Sequence, residues 1–330
     1  MERARARLIT VLQTAQSEAK PPLVFPIVVA NHAARVAGER LSRTLTESRV
    51  LSAVLYQAYR LYNYDLIMVF ADVLVEAEAM GCKIEMADDE PPVLVQAAGQ
   101  RAQVVNPFRA CRMPVILETT EQLVNMAGRE VFVLTSVKGP FSLASFLCGP
   151  EEFLESLISA PEKAEWYLQR ATENQKNFVR AIVKKGGVPF IGDPMASGSV
   201  VSPALFERFA LPYLKELVAA IHQLGFWTGL HICGDTTGIL RLMCATGAEI
   251  LSVDEMDIGF VRQEVGANRV IMGNVSTGLL ESGGPEQIYQ AAQDCLKKGL
   301  PKMILASACD VPAATPVANV QALVAAAQGG

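Results

Sequence analysis

Eight short apolar runs constrain this chain more than any other feature of it. They fall at residues 23–29, 65–70, 131–135, 188–191, 226–232, 249–253, 269–272 and 303–305, and helix-length stretches alternate with most of them. Runs this short read as buried strands, whereas the stretches 161–185, 203–224 and 285–298 carry the apolar spacing of helices. Strand–helix alternation builds a parallel sheet, and eight units without a Pro-rich linker predict one (β/α)8 TIM barrel over residues 1–330. A doubly wound open sheet is the competing layout. It is weakened by the absence of the glycine-rich phosphate loops that such sheets carry, G-x-G-x-x-G or G-x-x-x-x-G-K-[ST].

Two additions to the barrel are expected. Residues 2–17 place Ala4, Leu8, Leu12 and Ala15 on one helical stripe, giving an N-terminal helical extension over about residues 1–20. Residues 82–103 read as a hairpin excursion around the turn Asp88-Asp89-Glu90-Pro91-Pro92.

A barrel's chemistry sits where its strands end. Here those ends carry His32, Asp72, Lys138, Asp193, His231, Cys233, Asp254, Glu255, Asn274 and Cys309. His231 and Cys233 are two apart, so they share a face of the strand they leave. Cys309, 76 residues on, reaches them only through the fold. One imidazole and two thiols form a zinc set with an open fourth position, which is the catalytic pattern; the alternative is a packed histidine and two buried thiols. Asp193 either orients a substrate or a histidine ligand, or caps a turn. Glu255 reads as a further metal oxygen or a proton acceptor, and otherwise as a solvated acid. Asn274 is a ligand partner or a turn residue, His32 a candidate pocket wall, and Gly139 a site of close backbone approach.

Charge and cysteine use narrow the function classes. A net charge of -5 gives no electrostatic footprint for nucleic acid. No run of 18 uncharged apolar residues appears, and the first residues lack the pattern of a signal peptide, so a cytoplasmic protein away from membranes is expected. Seven cysteines fit a reducing compartment. With 51% hydrophobic residues, self-association as a homodimer would cover apolar surface.

Several of these segments together resemble a known family. They are His231-Ile232-Cys233-Gly234, Asp254-Glu255, Gly273-Asn274-Val275, and Cys309 followed by Pro312, Thr315-Pro316 and Asn319. Upstream, Gly139-Pro140-Phe141-Ser142-Leu143-Ala144-Ser145, Asp193-Pro194-Met195-Ala196-Ser197 and residues 65–81 extend the likeness, which spans about 5–327. The chain resembles the uroporphyrinogen decarboxylase superfamily, and within it the cobamide-dependent methylcobalamin:coenzyme M methyltransferases. That resemblance implies a (β/α)8 barrel with zinc held by His231, Cys233 and Cys309. It implies a methylcorrinoid as methyl donor, and coenzyme M, another thiol or tetrahydrofolate as acceptor. Lys138, Gly139, His32, Asp193 and Asn274 are then expected around the corrinoid or acceptor, and Lys138 either meets an anionic group or stays solvated. The Asp-x-His-x-x-Gly cobalamin motif is absent, so the corrinoid is expected on a separate small corrinoid protein. The decarboxylases of the superfamily lack the zinc triad and use arginines and an aspartate; here Arg35 stands early without an arginine-rich motif. A porphyrin decarboxylase and a non-catalytic barrel partner of a corrinoid protein are the two alternative readings.

Overall fold

The computed structural model describes residues 4–13 and 21–329. The expected N-terminal helix runs Ala4–Gln13; the rest of that expectation, 2–3 and 14–17, lies outside the described residues.

Eight parallel strands form one sheet. In chain order the strands are β1 (Leu23–Phe25), β2 (Leu66–Val69), β3 (Lys83–Glu85), β4 (Val93–Gln96), β5 (Phe132–Lys138), β6 (Val188–Gly192), β7 (Gly229–Ile232), β8 (Ile250–Val253), β9 (Val270–Val275) and β10 (Met303–Ser307). The barrel order is β1-β10-β9-β8-β7-β6-β5-β2, while β3 and β4 form the expected antiparallel hairpin. Parallel neighbours need long crossovers, and helices supply them. Pro140, Pro150, Pro161, Pro203 and Pro285 each open one, where the missing N–H is not needed. Beyond the expected helices, Leu41–Thr46, Val75–Ala79, Pro150–Ser159 and Ile258–Val265 also form; the first lies in a stretch whose polar residues mask Leu41 and Leu45, both buried. Helix 203–223 is interrupted by a π-helical turn at Phe206–Ala210, just before Pro212 in the first turn of its second part.

β1 and β2 close the barrel differently from the other pairs. The Asp65 N–H donates to the Val24 carbonyl at 2.9 Å, and the Asp65 carboxylate accepts the Val24 N–H at 2.8 Å. The same carboxylate pairs with the guanidinium of Arg7 from the N-terminal helix, which also donates to the Pro21 carbonyl. The extension thus plugs the barrel end opposite the strand C-termini and pins the seam.

The register sets the height of the mouth. Lys138 of β5 pairs with Gly192 of β6, Gly192 with His231 of β7, and His231 with Ser252 of β8. Four adjacent strands therefore deliver Lys138, Gly192, His231 and Ser252 at one level. Below them, two or four residues back on the same strand faces, the interior is filled by buried apolar residues such as Leu134, Phe190 and Ile250.

Candidate metal centre

His231 leaves β7 and Cys233 follows it, while Cys309 lies just past β10. One donor atom from each lies within 4.8 Å of the others, and these three are the only such group of metal-ligating residues among the described residues. His231 Nε2 is 3.0 Å from Cys233 Sγ, and the two thiols are 3.5 Å apart. A zinc tetrahedron with two sulfurs and one nitrogen asks for about 3.5 Å and about 3.8 Å across those edges. The triad fits with an opening of roughly half an ångström.

The imidazole is oriented from behind. Its Nδ1 lies 3.0 Å from Ser252 Oγ, which is fully buried. In the tautomer that ligates through Nε2, Nδ1–H donates to that hydroxyl, the second contact a metal histidine needs. Ser252 was not among the residues expected here. In the run Leu251-Ser252-Val253 it reads as a small core residue, and only its register opposite His231 exposes it.

Electrostatics prepare the sulfurs. The hydrogen bond from Cys309, the largest influence, holds the Cys233 thiol below its usual range. That same bond, then burial, push the Cys309 thiol far up. Burial works against charge on His231, yet its contact with Cys309 and the nearby Asp310 and Asp254 carboxylates raise its pKa.

The triad forms one side of a cavity of about 160 Å³ walled by Ile27, Val29, Met68, Phe70 and Phe190. Gly229 makes part of this possible: a Cβ there would fall 2.1 Å from the Phe190 ring. Lys138 and Asp310 also line the cavity.

The other expected residues fall in different places. Asp193 is fully buried beneath the mouth and its carboxylate accepts the N–H groups of Ser142, at 2.7 Å, and Phe141. It holds the start of helix Pro140–Cys148, the capping role, though on a neighbouring helix rather than its own turn. Burial pushes its pKa up to about 6. A Cβ on Gly139 would sit 2.1 Å from that carboxylate, so this close approach is real. His32 does not wall the cavity. It is fully buried, with Nε2 2.8 Å from the Tyr62 hydroxyl and Nδ1 3.1 Å from the Pro312 carbonyl. Asn274 turns toward the loop after β8 and donates to the Asp254 and Met256 carbonyls. Glu255 is likewise outside the metal group, accepting the Ser276 hydroxyl at 2.8 Å. Position after a strand does not fix the direction a side chain takes, which is why these three read alike in sequence and diverge in space. Asp235 accepts the Thr237 N–H in the turn before the next helix, as a local cap does.

Comparison with known proteins places this geometry in context. The model of the uroporphyrinogen decarboxylase (URO-D) family matches residues 4–329. Methylcobamide:CoM methyltransferase MtbA of Methanosarcina acetivorans is 27% identical, covering 97% of this chain and 96% of that protein. A chloroplastic uroporphyrinogen decarboxylase of Arabidopsis thaliana is 28% identical over 80% of this chain and 70% of its own length. Among solved structures, a methyltransferase from Methanosarcina mazei superposes with a TM-score of 0.89 at 26% identity, covering 100% of this chain and 99% of that one. Identity alone does not separate the two chemistries.

Proposed function

This chain belongs to the uroporphyrinogen decarboxylase (URO-D) family, and we propose that within it the chain is a zinc- and corrinoid-dependent methyltransferase. The observation that carries this reading is the His231–Cys233–Cys309 triad, converging at the barrel mouth with one open side facing the cavity.

A zinc ion held by these residues supplies a Lewis acid that lowers the pKa of an acceptor thiol. The residues of the chain do the rest. Ser252 fixes the His231 tautomer. The apolar walls from β1, β2 and β6 exclude water, so that the acceptor sulfur keeps its nucleophilicity. The sulfur–methyl bond forms as the cobalt–carbon bond of the methylcorrinoid breaks. The electron pair stays on cobalt, taking it from Co(III) to Co(I).

Cavity size supports a small thiol, such as the CoM of the relatives' names, over tetrahydrofolate. At ~30 Å³ per water, 160 Å³ holds about five water-sized units, well short of a folate. A methylcorrinoid, much larger than the cavity, would supply its methyl group from outside it. A small separate corrinoid protein brings it, in the cytoplasm. No helix of the described residues is long and apolar enough to cross a membrane. The porphyrin decarboxylase reading finds less support: it gives the triad no role, and among the described residues no arginine lines the cavity.

The test is elemental analysis together with loss of the alkyl-cobalt absorption of methylcobalamin on adding thiols or tetrahydrofolate. About one zinc per chain and thiol-dependent demethylation are expected. Absence of both overturns the reading, and turnover of a porphyrin substrate would favour the decarboxylase.

A further inference from the structure

Two charged side chains face the cavity without taking part in the metal group. Lys138 is 4% exposed, yet its ammonium has no hydrogen bond or ion pair among the described residues; it lies 4.9 Å from the centre of the Phe70 ring. The Asp310 carboxylate lines the same cavity and accepts no hydrogen bond among the described residues. No close ion pair joins the two, although the Lys138 ammonium lies within the field of the Asp310, Glu76 and Asp193 carboxylates. A buried charge without a partner is costly, and protein interiors normally satisfy it. Elsewhere this protein does so: Arg112 is paired with Asp72 and Glu78, and Arg7 with Asp65.

The scaffold holds Lys138 in place. Glu76 Oε1 accepts its backbone N–H at 2.8 Å, and Gln175 Nε2 donates to its carbonyl at 2.6 Å. Gln175 also donates to Glu76 at 3.2 Å, so the buried pair clamps both backbone groups of one residue. Asp310 cannot serve as the orienting partner of His231, because Ser252 holds Nδ1 and Nε2 faces Cys233. Both groups keep hydrogen-bonding capacity that no side chain among the described residues consumes.

We propose that Lys138 and Asp310 form a receptor for a zwitterionic acceptor, a short α-amino-acid thiol. Its carboxylate meets Lys138, its ammonium meets Asp310, and its sulfur lies at the His231–Cys233–Cys309 triad. The proposal rests on the methyl-transfer reading above and narrows its acceptor. Cysteine or homocysteine, with about seven or eight non-hydrogen atoms, suits a cavity of about five water-sized units. The product is the S-methyl amino acid: the sulfur–carbon bond forms, the cobalt–carbon bond breaks, cobalt keeps the electron pair, and the thiol proton leaves to solvent.

Calorimetric titration of the zinc-loaded protein tests this with a set of thiols. L-cysteine and L-homocysteine carry both charges; 3-mercaptopropionate and 2-mercaptoethanesulfonate lack the ammonium, and cysteamine lacks the carboxylate. A zwitterion is expected to bind at least about tenfold more tightly than either half, as loss of one charged hydrogen bond implies. Asp310→Asn should erase the advantage over 3-mercaptopropionate, and Lys138→Gln the advantage over cysteamine. Zinc content is measured for each variant because Asp310 adjoins Cys309, and Asp310→Glu should restore part of the selectivity. A readout without metal is the thermal shift of the metal-free protein with L-2-aminobutyrate, expected in the parent and lost in both variants. The proposal is overturned if either anion-only thiol binds as tightly as homocysteine, or if Asp310→Asn weakens all thiols equally. Failure of zinc binding and of methylcobalamin turnover would instead sink the methyl-transfer reading, with the L-2-aminobutyrate shift still deciding this one.

Discussion

The mouth of this barrel holds two polar regions of opposite design. In the metal cavity, the functional groups stand on strand ends or directly after them. Two sulfurs and one ring nitrogen meet only one another, and one ammonium and one carboxylate have no hydrogen-bond partner among the described residues. Beside it lies an open basin of about 720 Å³, rimmed by Asp235, Asp254, Glu255 and Asp257 from the loops after β7 and β8. It is richer in acids, yet its carboxylates are in use. Asp254 accepts the N–H groups of Gly234 and Glu255, Asp257 caps Phe260 and pairs with Lys298, and Glu255 accepts Ser276. What separates a site from a cluster of suitable residues is the supply of hydrogen-bonding and ligating capacity that the fold does not consume.

The sharpest way to break this comparison is to remove a ligand. Cys309→Ser is expected to reduce bound zinc well below one equivalent and to cut methyl transfer by more than ~100-fold, with circular dichroism unchanged. Retained zinc would show that the triad is not the metal site. A second measurement probes the buried acid beneath the mouth. The folded-state pKa of Asp193, raised to about 6, lies above its unfolded value, so the folded state holds the extra proton. Stability from this group is therefore greatest at low pH and falls as pH rises between about 4 and 6, by at most about 3 kcal/mol. Denaturant titrations should show that slope, and Asp193→Asn should flatten it; an unchanged slope would rule out Asp193 as its source. Third, Ser252→Ala should weaken zinc affinity by ~10–100-fold while leaving the melting temperature nearly unchanged. Equal affinity would mean that the ring needs no support. The smallest effect belongs to the basin: Asp257→Ala should cost about 1 kcal/mol of stability, the value of a helix cap, and leave zinc stoichiometry at the parent level. Loss of metal there would erase the distinction between the two regions.

Much of the cavity was legible in the residue order, and the reasons for the rest are physical. Eight apolar runs ending in polar residues are enough to foresee a barrel, because only burial on both faces explains them. The triad follows from residue type once two strand ends are known to share a mouth. Ser252 escaped notice because a hydroxyl within an apolar run is silent until register puts it opposite His231. Glu76 and Gln175 escaped because they act on the backbone of a third residue from two different helices. His32, Asn274 and Glu255 were foreseen around the site, but sequence does not encode which way a loop turns, and each found a backbone or hydroxyl partner outside the triad.

The seam between β1 and β2 has a consequence for the cavity above it. Most strand pairs are laced by a ladder of backbone hydrogen bonds, whereas this one is held by Asp65, by the helix that grips it, and by the Ala30 N–H donating to the Phe70 carbonyl at 3.3 Å. Ile27, Val29, Met68 and Phe70, the apolar wall facing the metal ligands, hang from these two strands. The cavity therefore rests on two kinds of joint. Its apolar wall stands on a seam crossed by few backbone bonds, while His231 and Cys309 stand on or just past strands that pair with their neighbours along their length.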